Sequence, residues 1–169
     1  MREDSINFVG AKYPNREETL QALVAAGLPV RAYGRAWSRH FYDILRTKQF
    51  KDSGVPAGRD IDRSEAYGIM ASSPATLNIH NNQDGFTMRT FEAPGVGALQ
   101  VIDRADVDRY YIPGEEVLVY QSIDELIEIC TRIFREPKWA RQIREAGQKR
   151  TLAEHTFDQR VKILEQLWA

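Results

Sequence analysis

Residues 75–102 constrain the fold of this chain more than any other stretch. An apolar run from Ala75 to Ile79 passes into a polar loop containing Gly85. A short helical segment follows, breaks at Pro94-Gly95, and leads into a second apolar run from Ala98 to Ile102. Short apolar runs bounded by turn signals read as buried strands. A polar loop that enters a helix just after a buried strand is how α/β sheets build anion sites. The first backbone N–H groups of a helix lack intrahelical partners, and the helix dipole favours negative charge there. The loop supplies Asn81, Asn82, Asp84 and Gly85, and the helical segment adds Arg89 and Glu92.

The same alternation recurs along the chain. Ile6 to Val9 reads as a strand ending at Gly10, and Asn15 with Glu18 forms a capping-box pattern for a helix that Gly27 stops. Pro29 to Tyr33 is the next strand, ending at Gly34. Strand, helix, strand with short loops is a βαβ unit, which implies parallel strands joined by right-handed crossovers. Residues 35–59 are the least legible, with a short helix expected around Phe41 to Leu45 and a weak strand near Phe50. Asp60 or Asp62 starts a helix through Tyr67. Val117 to Tyr120 is a further strand, and Ser122 with Glu125 caps a helix from Ile123 to Phe134. Pro137 opens another helix, and Thr156 with Gln159 caps the last, Phe157 to Leu167. Five or six strands alternating with helices predict an α/β, Rossmann-like, doubly wound parallel sheet flanked by helices. Gly10, Gly34 and the loop from Asn81 to Phe86 would then meet at one sheet edge, beyond the carboxyl ends of the strands.

Composition narrows the function classes. At 169 residues the chain is expected to form one domain, and a formal net charge of -1 gives no basic field for nucleic acid or an anionic membrane. The lone cysteine, Cys130, lies in an apolar helical run, so a disulfide framework is excluded and a reducing cytoplasm is expected. No signal peptide is expected, and no stretch approaches the ~20 apolar residues of a membrane span. The sequence carries no Cys/His metal cluster, Walker-A lysine loop, nucleophile elbow or His-Glu-x-x-His helix. Gly95-Val96-Gly97 follows a helix rather than preceding one, so it reads as a tight connection and not a dinucleotide fingerprint.

Leu77-Asn78-Ile79, Met88-Arg89-Thr90-Phe91-Glu92 and His155-Thr156 carry a family resemblance. The chain resembles the C-terminal, donor-nucleotide-binding domain of GT-B glycosyltransferases, group 1-like, closest to the branch named after the spore-coat maturation protein CgeB. The likeness runs over nearly the whole length, most clearly from Tyr67 to Arg160. Asp84 and Glu92 echo a Glu-x7-Glu motif of many retaining members, with aspartate in the first position. The resemblance implies that residues 1–169 are one half of a GT-B enzyme. A missing N-terminal domain, or a partner chain, would hold the acceptor and much of the catalytic apparatus. It implies a nucleoside-diphosphate sugar as donor, a glycosyl transfer to an acceptor hydroxyl, no metal and no other cofactor. The catalytic residues stay unassigned.

Within that frame Glu92 is the ribose-binding glutamate. Arg89, one turn earlier on the same face, either neutralises the diphosphate or pairs with Glu92. Gly85, Phe86 and Thr87 would bring backbone N–H groups to the diphosphate or sugar, and Asp84 either holds sugar hydroxyls or caps the helix. Gly10 and Gly34 complete the expected nucleotide-sugar site. Asn78, His80 and His155 read as structural, Lys12 and Arg16 as a solvated face, and Trp37 as core rather than a stacking platform for a base. The alternative reading is a non-catalytic nucleotide-binding or protein-interaction module, which an exposed apolar patch near Phe86, Tyr110 and Tyr111 would favour.

Overall fold

A computed structural model describes residues 4–80 and 84–168 of the chain. Its centre is a six-stranded, wholly parallel sheet. The strands are β1 Ile6–Val9, β2 Val30–Tyr33, β3 Ala57–Gly58, β4 Thr76–Asn78, β5 Gln100–Ile102 and β6 Leu118–Val119, in the order β3-β2-β1-β4-β5-β6. The order reverses between β1 and β4, and that reversal is where a doubly wound sheet opens a crevice. The helices are α1 Pro14–Ala25, α2 Phe41–Thr47, α3 Arg63–Ser72, α4 Arg89–Gly95, α5 Ile123–Arg135, α6 Pro137–Glu154 and α7 Phe157–Trp168, with a 3-10 turn at Ala105–Arg109.

Alternating side chains give the sheet two different faces. Ile6, Phe8, Leu77 and Val101 point into the main apolar core with Leu20 and Leu23 of α1 and Leu126, Cys130 and Ile133 of α5. The opposite face carries Asn7, Thr76, Asn78 and Gln100, all buried. These polar groups bond one another and the covering helices α3 and α4. Thr76 Oγ1 donates to Asn7 Oδ1 at 2.6 Å, and Asn78 Nδ2 donates to Gln100 Oε1 at 3.0 Å and to Thr90 Oγ1 at 3.2 Å. A buried polar stripe of this kind is tolerable only because its members are paired.

Several local expectations need correction. Helix α1 begins at Pro14, after an extended Tyr13, with no side-chain cap. Proline's fixed φ and missing N–H suit the first helical position, so Asn15 lies inside the helix instead of capping it. The third strand is Ala57–Gly58, while Phe50 is 73% exposed in a loop. Asp62, not Asp60, caps α3, in a full capping box with Glu65. Ser122 accepts from the Glu125 N–H, but Glu125 turns back to the N–H of Gln121, one residue before the cap. Pro94 falls inside α4. It has no N–H for the Thr90 carbonyl, and Gln100 Nε2 donates to that carbonyl instead, at 3.4 Å.

Candidate functional site

At the carboxyl ends of β1 and β4, against α3 and α4, lies an open cavity of about 360 Å³. Its lining includes Gly10, Arg16, Arg63, Tyr67, Asn78, Thr87, Arg89 and Glu92. A second hollow of about 410 Å³ adjoins it over the ends of β1 and β2, sharing Val9, Gly10 and Ile61 and adding Gly34 and Arg35. The crevice at the strand-order reversal is thus formed by chain segments far apart in sequence.

The structure brings Gly10, Thr87, Arg89 and Glu92 together around one cavity and puts Gly34 in the neighbouring hollow. It does not put Asp84, Gly85 or Phe86 in the lining of either. Asp84 is exposed and does not cap α4, whose N-cap position is Met88. Gly85 has φ +73°, and its carbonyl accepts from Arg104 at 2.9 Å. Phe86 packs edge-on against His80 and Tyr110, with the Arg104 guanidinium 4.6 Å from its ring centre. Tyr111 is fully buried, and Phe86 and Tyr110, both partly buried, pack against the same cluster. Asn81 and Asn82 lie outside the described residues.

The loop is anchored by His80, which is completely buried. Its backbone N–H meets both carboxylate oxygens of Asp103 at 2.9 Å, and Nδ1 lies 3.2 Å from the same carboxylate. Nε2 accepts from the Thr87 N–H at 3.3 Å, which leaves the ring proton on Nδ1, facing Asp103. Several donors at the start of α4 are therefore occupied. Thr87 N–H goes to His80, Thr90 N–H to the Thr87 carbonyl, and Phe91 and Glu92 N–H to the Met88 carbonyl. The side chains of Arg89 and Glu92, more than the backbone of this short helix, set the charge of the cavity wall.

Arg89 and Glu92 do not pair with each other. Arg89 Nη1 lies 3.2 Å from the sulfur of Met70, a weak acceptor, and Glu92 Oε1 accepts from the Tyr67 hydroxyl at 2.7 Å. Among the described residues neither Arg89 nor Arg63 meets a carboxylate. Arg16 is different. It is 8% exposed, Nε and Nη2 donate to the Ile79 carbonyl at 3.0 and 2.7 Å, and Nη1 donates to Ala11 at 3.1 Å. Its guanidinium also lies over Tyr13 and Phe8, and burial lowers its pKa, with Tyr13 and Asp103 opposing. Lys12 pairs with Glu17 at 2.9 Å with its side chain 8% exposed, above Trp37. Neither belongs to a solvated face. Trp37 is core, donating Nε1–H to the Gly10 carbonyl at 2.9 Å. His155 is structural as well, bonded to the Tyr110 carbonyl and to Arg160 and packed on three aromatic rings. Sequence reasoning left out Tyr67 and Arg63, whose only sequence signal is their place in the first turns after the Asp62 cap.

The family description "Glycosyl transferase-like" matches residues 16–166. The chain belongs to that glycosyltransferase-like family. Among curated proteins none matches it in sequence. Solved structures share its fold. Sucrose-phosphate synthase from Thermosynechococcus elongatus superposes with a TM-score of 0.70 at 17% identity, covering 98% of this chain and 46% of that one. HepE from Anabaena, solved in complex with UDP-glucose, gives 0.72 at 13% identity, covering 98% and 49%. The C-terminal domain of a glycosyl transferase group 1 family protein, LpcC from Francisella tularensis, gives 0.66 at 13% identity, covering 92% and 88%. The glycosyltransferase-like chain thus has the fold of a single GT-B C-terminal domain and spans about half the length of the longer relatives. Among the described residues no helix is long and apolar enough to cross a membrane.

Proposed function

We propose that this domain binds the nucleoside-diphosphate part of a sugar nucleotide, as the donor half of a GT-B glycosyltransferase. The whole enzyme would move a glycosyl group from that donor to an acceptor hydroxyl. One observation carries the reading. The cavity at the β1/β4 reversal is lined by the carboxylates of Glu92 and of Asp62, the latter committed to the α3 cap, and by two guanidiniums, Arg63 and Arg89, that form no ion pair with a carboxylate among the described residues. A carboxylate accepts the paired hydroxyls of a ribose, and guanidiniums bind a diphosphate with charge-assisted bonds. Gly10 and Thr87 border the same space, and Gly34 the adjoining one. Asp84, Gly85 and Phe86 precede Thr87 in sequence and line neither hollow, so their part in binding would be to shape the approach to Thr87. Positioning and stabilisation of the departing diphosphate are then the domain's contribution, and a second domain or partner chain supplies the acceptor side. HepE, which shares the fold, was solved with UDP-glucose, and this supports a nucleotide-sugar donor here. The open polar cleft favours this reading over a sealed interaction surface.

Calorimetric titration of the domain with UDP, GDP, dTDP and ADP tests it. Saturable binding of one nucleotide, lost in Glu92→Ala, is the expected result, without glycosyl transfer by the domain alone. A folded domain that binds none of them sinks the donor-site reading. Transfer by the isolated domain to a simple acceptor sinks the half-enzyme reading.

A further inference from the structure

We propose that Tyr67 is a positioning residue for the Glu92 carboxylate, holding it in the plane that grips a ribose diol; this inference rests on the donor-site reading above. The two side chains come from different helices, α3 and α4, 25 residues apart, and the Tyr67 hydroxyl donates to Glu92 Oε1 at 2.7 Å. Both residues line the polar cavity, and both also line an apolar groove of about 410 Å³ between α4 and the start of α7, walled by Phe91, Leu152 and Phe157. The pair is therefore the partition between a polar space and an apolar one. A glutamate there has rotatable bonds to lose when a ligand binds, and that loss opposes affinity. The tyrosine removes it in advance. Oε2 has no hydrogen-bond partner among the described residues, so one full carboxylate oxygen and the second lone pair of Oε1 remain for two vicinal hydroxyls.

The tyrosine is itself well held. Its ring packs with Val9 and Val96 on the cluster of Met70, Ala93 and Ala98, and Asp62 fixes the start of α3 five residues before it. Burial first, and the Glu92 carboxylate second, raise the phenol pKa above its ordinary value of 10.0, so the group remains a donor throughout the neutral range. Tyr67→Phe keeps the ring and its packing and removes only the donor.

The test is titration of wild-type, Tyr67→Phe, Glu92→Gln and the double variant with UDP, GDP, ADP and CDP and with their 2′,3′-dideoxy counterparts, each variant first shown to be folded. For whichever ribonucleotide binds, Tyr67→Phe is expected to weaken affinity about fivefold, the loss of one ordinary hydrogen bond. Dideoxy affinity is expected to stay unchanged, with no further loss when Glu92 is already Gln. Wild-type affinity in Tyr67→Phe, with affinity lost in Glu92→Gln, overturns the positioning role and leaves the donor site standing. An equal loss for ribo and dideoxy ligands marks a general disturbance of the cavity and also overturns it. Glu92→Gln without effect, or no binding by the wild type, overturns the donor site and this inference together.

Discussion

Gly34 has φ +146°, a conformation that side-chain-bearing residues rarely adopt, and a β-carbon there would lie 2.7 Å from the Gly10 carbonyl oxygen. That carbonyl also accepts from Trp37, so the ends of β1 and β2 cannot part without breaking the bond. Gly34→Ala is therefore expected to destabilise the domain by roughly 1–3 kcal/mol, read as a lower urea midpoint at unchanged slope. A midpoint equal to wild type would show that the junction can shift freely. Single residues were legible from sequence where their role is local. Cys130 reads as buried from its apolar neighbours, and it is. Arg16 and Lys12 were not legible, because a positive charge beside a turn has the same sequence signature whether it faces water or a carbonyl 63 residues away. Burial of His80 is equally non-local, set by Asp103 on the loop after β5.

Helix α4 shows how one element depends on its neighbours. Seven residues containing a proline make a weak helix by themselves. Thr90 ties it to β4 through Asn78, and Gln100 of β5 replaces the donor that Pro94 lacks. Gln100→Leu keeps the bulk of the side chain but strips partners from Asn78 and from the Thr90 carbonyl. The expected cost is about 1–3 kcal/mol, measured by urea unfolding. Because the Glu92 side chain stands on this helix, the proposed donor site predicts a fall in nucleotide affinity as well. The order of elements was readable over most of the chain, since apolar runs, Ser122, Asp62 and Pro137 punctuate it by local rules, but the 3-10 turn at Ala105–Arg109 was not. Element ends were less so. Pro14 displaced the expected Asn15 cap, and the two-residue edge strand at Ala57–Gly58 is too short to leave a periodic pattern.

At the scale of the whole domain, burial controls the response to alkali. The Cys130 thiol and the Tyr111 phenol, with ordinary values of 9.0 and 10.0, are both pushed up to about 12 by burial, and Tyr120 moves in the same direction. In the unfolded chain these groups ionise at their ordinary values, while the folded domain keeps them protonated. Their contribution to stability is thus fully present below about pH 9 and is lost as pH rises through about 12. Urea midpoints should fall between about pH 9 and 11, and Cys130→Ala should move the onset up toward the tyrosine value. A midpoint flat across that range contradicts the burial of these groups.

The sequence by itself determined the alternation of strands and helices, the parallel doubly wound sheet and the family motif around Arg89 and Glu92. Each of those is written in patterns a few residues long. Only the tertiary structure decided which polar groups remain available at the crevice. It commits Arg16 to the Ile79 carbonyl, His80 to Asp103 and Thr87, and Tyr67 to Glu92, and leaves Arg63 and Arg89 without a carboxylate among the described residues. The reason is physical: a hydrogen bond between segments tens of residues apart depends on where the sheet brings them. No local period records that distance.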